Sequence, residues 1–175
     1  PEWDALSLDN SAFVGQETMR VVSNNNNSAL ARAFSSLPNV DYQVLPNAAL
    51  SAPDFDLRVI VGALPEGVTQ GDYILFAPPT ETQTYQLISD WDRANPLFRF
   101  VDLRDSSLGL ASPVPFNNPE WQVLAQSTDL TPVVLEHRQG GLNIVAFNFA
   151  PSQSDLVNRS AFPLLTKPHT AILKV

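Results

Sequence analysis

Apolar residues along this chain either alternate with polar ones or run together in short blocks, and only a few stretches repeat at helical spacing. Residues Asp4 to Val14 alternate around an Asp9-Asn10 pair, the pattern of an entry strand or hairpin over residues 1–16. Met19-Arg20-Val21-Val22-Ser23 reads as a strand. Four asparagines follow, Asn24 to Asn27, and Ser28 then opens a segment in which Ala29, Leu30, Ala33, Phe34 and Leu37 share one helical face. Asn and Ser are favoured N-caps, and Pro38-Asn39 marks the helix end. Val40 to Leu45 alternates as a second strand. Strand, helix and strand in this order predict a β-α-β unit with parallel strands and a right-handed crossover.

The block from Phe55 to Leu64 is nearly continuous and β-branched, as expected of a strand covered on both faces. Asp72 to Phe76 has the same character and stops at Ala77-Pro78-Pro79-Thr80. Between 84 and 118 the pieces shorten and Pro and Asn intervene, predicting an irregular insertion or antiparallel edge with strands at Tyr85–Ile88 and Arg99–Leu103. Three further strands are predicted at Gln122–Gln126, Pro132–His137 and Leu142–Phe149, with a hairpin turn at Arg138-Gln139-Gly140-Gly141. Residues 155–166 read as a helix interrupted by Pro163. The fold class is α/β, with antiparallel strands toward the C-terminus.

At 175 residues the length suits one domain, with residues 17–175 as its body. The formal net charge of −8 and the scattered cations argue against nucleic acid and against an anionic membrane surface as partners. Low charge, 16%, and fifteen prolines predict long ordered loops. Cysteine is absent, which removes thiol nucleophiles, thiolate metal sites and disulfides. No apolar run reaches the roughly 20 residues of a spanning helix. A chain beginning at Pro1 is expected to be a piece of a longer protein.

Catalytic and cofactor motifs are few. Gly-x-Ser-x-Gly, Gly-x-Gly-x-x-Gly and the phosphate-binding P-loop are all missing. His137 and His169 are expected as loop histidines, too few for zinc. Asp90, Asp92, Asp102 and Asp105 match no calcium loop, so no metal or cofactor is expected. Asn25, Asn26, Asn27, Ser28 and Thr80 follow predicted strands, where doubly wound folds bind ligands, and form the candidate crevice. Helix capping is the simpler role for the asparagines. In Asp90 to Leu103, Asp90, Trp91, Asp92, Arg93, Pro96 and Arg99 are read as structural. Arg93 and Arg99 are expected to pair with local carboxylates, while Trp91, Phe98 and Phe100 anchor the loop to the sheet.

The order of four segments resembles a known module. They are Asp56 to Pro65, Ala77-Pro78-Pro79, Asp90 to Leu103, and Asn148 through Asp155-Leu156 to Leu165. Together with Asp4-Ala5-Leu6 and Asp9-Asn10, they resemble the glutamine-amidotransferase-like module of bacterial membrane-anchored proteins with an aerotolerance-regulator-type N-terminal double membrane span and a von Willebrand factor A domain. The resemblance spans about residues 4–165. Two positions depart from it: Asn95 stands where the family usually has His, and Thr166-Lys167-Pro168-His169 replaces a continuing helix. The resemblance implies a flavodoxin-like, three-layer sandwich with a mostly parallel sheet, and residues 1–16 as the link from an upstream β-domain. Active amidotransferases of this fold carry Cys on a strand-to-helix elbow. The corresponding slot here holds Ala77 to Thr80, so the resemblance implies a non-catalytic relative. It also implies an extracytoplasmic setting. Other domains of the same chain, or an external protein, are the expected partners. A small-molecule sensor at the Asn24–Ser28 crevice is the alternative, and a hydrolase using Ser or Thr a third.

Overall fold

The computed structural model describes residues 18–47, 50, 54–81, 84–110, 120–159 and 162–166. The expected entry strand over 1–16, and His169, lie outside these residues. Among these residues ten strands form the sheet, in chain order β1 (Met19–Ser23), β2 (Val40–Val44), β3 (Leu57–Val61), β4 (Gly71–Phe76), β5 (Thr84–Trp91), β6 (Ser107–Leu110), β7 (Gln122–Ser127), β8 (Pro132–Gln139), β9 (Leu142–Phe147) and β10 (Phe149–Ser154). Helices α1 (Ser28–Ser35) and α2 (Phe162–Thr166) accompany them. The spatial order is β10-β6-β5-β7-β8-β9-β4-β3-β1-β2.

The β-α-β unit forms as the pattern predicts. β1 pairs in parallel with β2 and with β3, joined to β2 through α1. Asn39 makes the turn into β2 with φ at 57°, a left-handed conformation that Asn tolerates better than most residues. The parallel block continues through β3, β4 and β9. From β9 outward every pairing, to β8, β7, β5, β6 and β10, is antiparallel. The sheet is therefore mixed rather than mostly parallel. The final third is antiparallel only in part, because β9 inserts beside β4. Gly140 and Gly141 close the β8–β9 hairpin with φ of 58° and 90°, as a two-residue turn between right-twisted strands requires.

One face of the sheet carries the larger core. Val21, Leu57, Val59, Ile74, Phe76 and Phe147 pack there with Leu30, Ala33 and Phe34 of α1 and Phe162 and Leu165 of α2. Phe76 stacks on Phe147 at 4.9 Å and meets Phe149 and Phe162 edge-on or tilted. Side chains alternate along strands, so Val22, Ile60, Tyr73, Leu75, Ile144 and Ala146 face the other way. Among the described residues that second face is covered by loops rather than helices: Leu45, Leu50, Phe55, Leu64, Val68 and Trp121 pack on it. A clear three-layer sandwich is not formed. Buried Arg58 holds one of these loops, donating from Nε to the Leu50 carbonyl at 2.7 Å and from a terminal nitrogen to the Phe55 carbonyl at 3.0 Å. No helix among the described residues is long and apolar enough to cross a membrane.

Three local expectations change. Arg99–Leu103 is not a strand: Pro96–Phe98 forms a 3-10 turn capped by Asn95, whose Oδ1 accepts from the Leu97 N–H at 2.9 Å, and the chain stays irregular until β6. The Leu142–Phe149 run divides at Asn148, where β9 ends and β10 turns to another partner. Residues 155–166 form a 3-10 turn at Leu156–Asn158 and the short α2, not one helix.

Candidate functional site

The asparagine run follows β1 at its carboxyl end, as the sequence places it. Asn27 is the N-cap of α1, and its Oδ1 accepts from the N–H groups of Ala29 at 2.8 Å and Leu30 at 3.2 Å. These are the donors an anion at this helix end would need, so the cap itself satisfies them. Asn24 staples β1 to β3: Oδ1 accepts from Val61 N–H at 2.9 Å, and Nδ2 donates to the Val61 carbonyl and to Asn47 Oδ1. The Asn25 N–H donates to Ser23 Oγ, and its carbonyl accepts from Tyr42 Oη at 3.4 Å. Burial raises the Tyr42 phenol above its ordinary range, against a smaller opposing hydrogen bond from Ser23. Asn26 and Ser28 remain exposed at the strand end. Thr80 lies beyond β4, two strand positions from β1. Its backbone N–H donates to Gln153 Oε1, and its carbonyl accepts from Gln153 Nε2 at 2.7 Å.

The slot where an elbow was expected has another shape. After Phe76 the chain passes through Ala77, Pro78, Pro79 and Thr80 and enters β5 at Thr84. Among the described residues no helix follows β4 before β5, so none presents its N-terminus at that strand end. His137 is also misplaced for such a site. It is not a loop histidine but a buried residue of β8, 8% exposed, with its ring 5.3 Å from Trp121. Nδ1 has no hydrogen-bond partner. The register places His137 beside Ile144 and Tyr73, three residues and about 10 Å before the end of β4. No His-hydroxyl pair forms there among the described residues. No group of three or more His, Asp and Glu among them could hold a metal ion.

The Asp90–Leu103 stretch lies six strand positions from β1, roughly 29 Å along the sheet at about 4.8 Å per strand. The structure thus separates it from the asparagine run. Trp91 ends β5, is 9% exposed, and joins Leu97, Phe98, Val101 and Leu103 in the main core. The aromatic anchor expected from the sequence is therefore Trp91 and Phe98. Phe100 is 76% exposed and anchors nothing. The expected ion pairs are not formed by Arg93 or Arg99 among the described residues. The Arg93 guanidinium lies 4.7 Å from the Trp91 ring centroid, and that of Arg99 lies 5.3 Å from the Phe100 centroid. Arg104, which the sequence pattern did not single out, makes the ion pair with Asp102. Its hydrogen bonds hold the Asp102 carboxyl down at about 2, with a weaker contribution from Arg93. Asp92 is used locally, its Oδ1 accepting from the Ala94 N–H at 3.0 Å.

Two open recesses flank Trp91. One, of about 260 Å3, is lined by Asp90, Asp92 and Val123 to Gln126. The other, of about 410 Å3, is lined by Arg93, Arg99 and Arg104 with Phe98, Phe100 and Asp102. The carboxylates of Asp90 and Asp92 thus line one recess, and the three guanidinium groups line the other together with Asp102. The stretch was legible as a motif from its composition. The distribution of its charged groups between two recesses was not, because that depends on tertiary packing.

No family model and no curated protein matches the chain. Solved structures do. A Thermoplasma acidophilum protein assigned to GMP synthase, as one of its subunits, superposes with a TM-score of 0.61, at 12% identity, over 91% of this chain and 100% of its own. The mixed-sheet α/β fold fits a glutamine-amidotransferase-like architecture. The carbohydrate deacetylase Agd3 superposes with a TM-score of 0.53 at 13% identity, over 86% of this chain, which spans 32% of Agd3. Identities this low speak to architecture, not to chemistry.

Proposed function

We propose that this chain is a non-catalytic interaction module of a larger, membrane-anchored bacterial protein, on an amidotransferase-like scaffold. The observation that carries this reading is the end of β4. The parallel strand best placed for a nucleophile elbow runs as Ala77-Pro78-Pro79-Thr80 into another strand, with neither a nucleophilic thiol nor a following helix. An acyl-transfer site needs nucleophile, base and oxyanion donors converging within hydrogen-bond reach. His137 lies well below that strand end. The resemblance of the Asp90–Leu103 stretch to the module of von Willebrand factor A proteins supplies the membrane-anchored, extracytoplasmic setting. Other domains of the same polypeptide, or an external protein, are the partners.

Calorimetric titration of the chain with the separately expressed remainder of its parent polypeptide's soluble part tests this. Saturable heat, together with no ammonia release from glutamine, is the expected result. Glutamine hydrolysis above the buffer rate that copurifies with the folded chain overturns the non-catalytic reading. Absence of heat, where a control pair gives heat, removes docking within the parent. A small-molecule sensor is the second reading, favoured by exposed Asn26 and Ser28 at the carboxyl end of β1.

A further inference from the structure

Arg93, Arg99 and Arg104 line one recess of a chain whose formal net charge is −8. Arg104 is committed to Asp102 through bonds from Nε and a terminal nitrogen. Arg93 and Arg99 have no carboxylate partner among the described residues, although Asp90 and Asp92 lie a few positions away in sequence. Those two carboxylates line the other recess bordered by Trp91. Each of the two remaining guanidinium groups lies near an aromatic ring. Such a guanidinium is attracted to the ring while its N–H groups remain available to a carboxylate. Phe100, in the same lining, exposes an apolar ring.

We propose, resting on the interaction-module reading above, that this recess docks an acidic segment of a polypeptide partner. Carboxylates of that segment bridge Arg93 and Arg99, and an apolar or aromatic side chain covers Phe100. Charge complementarity selects the partner: the guanidinium edges are unpaired here, while the surrounding chain repels polyanions without such a specific fit. Duplex nucleic acid would meet that net repulsion along its whole backbone. A small inorganic anion fits the guanidinium edges but leaves Phe100 exposed to water. The recess volume, about 410 Å3, suits a few side chains rather than a single ion.

The probe is a fluorescein-labelled peptide of glutamates around one phenylalanine, with a lysine counterpart as control, followed by fluorescence anisotropy. Selective binding of the glutamate peptide is expected, weakening roughly tenfold between about 20 and about 200 mM NaCl. The double variant Arg93→Gln/Arg99→Gln is expected to lose about tenfold or more in affinity. Phe100→Ala is expected to lose several-fold. Arg93, Arg99 and Phe100 are exposed, so circular dichroism spectra of these variants should match the parent, and loss of the Arg93–Trp91 contact should lower the melting temperature by only about 1–4 °C. Equal binding of both peptides, or binding unchanged in the double variant, overturns the proposal. So does displacement of the peptide by sodium phosphate at equal concentration, which assigns the recess to a small anion. Self-association abolished by the double variant, seen in sedimentation, assigns it to a second copy instead. If the peptide fails while calorimetry with the parent's remainder still shows saturable heat, the interaction module stands and its docking surface lies elsewhere.

Discussion

Replacing Trp91 by Ala tests whether the Asp90–Leu103 stretch is built into the core or decorates it. Trp91 pairs with Ala125 across the β5–β7 ladder and is 9% exposed. A buried indole removes about 200 Å2 from water, worth about 5 kcal/mol at about 25 cal/mol per Å2. Alanine keeps part of that area. The two recesses beside the ring let water enter the vacated space, so the cavity contribution should be small. Loss of the Arg93 contact adds about 0.5–1 kcal/mol. The expected destabilisation is about 3–4 kcal/mol, near the lower end of the usual Trp→Ala range. For a domain of this size that lowers the melting temperature by about 6–16 °C. Urea unfolding followed by far-ultraviolet circular dichroism is the assay, since the substitution itself removes a fluorophore. Phe76→Ala is the comparison. Phe76 is enclosed by Phe147, Phe149 and Phe162, so its loss leaves a sealed cavity and should cost more than Trp91→Ala. A Trp91→Ala loss below about 1 kcal/mol with an unchanged m-value would refute the core assignment.

Other expectations follow from the hydrogen-bond pattern. Arg58→Met should destabilise by about 3 kcal/mol, because two carbonyls of the covering loop lose charged donors. Proteolysis between 45 and 56 should accelerate with it, and an unaltered cleavage rate would show that the loop is held by other means. Asn24→Ala should cost about 1–2 kcal/mol through the lost staple to Val61, readable as a lower urea midpoint, whereas a neutral effect would argue against the β1–β3 bridge. The Asp129 carboxyl is held down at about 2, chiefly by the Ser127 hydroxyl and then by Thr131. A folded value below the unfolded value of about 3.9 means that this stabilisation is present above about pH 4 and is lost as pH falls toward 2. Carbon-detected NMR titration should place the Asp129 midpoint well below that of an unstructured aspartate. Asp129→Asn should flatten the stability profile in the same window, and a midpoint at the ordinary carboxylate value would remove the hydrogen-bonded turn.

Much of the local structure could be read from the chain because its causes are local. Alternation at Val40–Val44, the apolar block at Leu57–Val61, the cap at Asn27 and the Gly140-Gly141 turn each depend on residues close in sequence. The absence of cysteine likewise removes thiol chemistry whatever the fold. Tertiary structure decided the rest. Strand periodicity carries no information about neighbours, so nothing in Leu142–Phe147 announces that it lies parallel to β4 while its hairpin partner is antiparallel. Arg99–Leu103 alternates like a strand, yet Asn95 capping and Pro96 turn the chain before any ladder can form. His137 resembles a turn residue but is buried, because loop packing on the second face brings Trp121 over it. The arginine recess is the sharpest case. Composition placed three carboxylates and two arginines together and suggested mutual pairing. The structure instead puts Asp90 and Asp92 at one recess and Arg93, Arg99 and the Arg104–Asp102 pair at another, and with Asp102 taken by Arg104 this leaves Arg93 and Arg99 available to a partner.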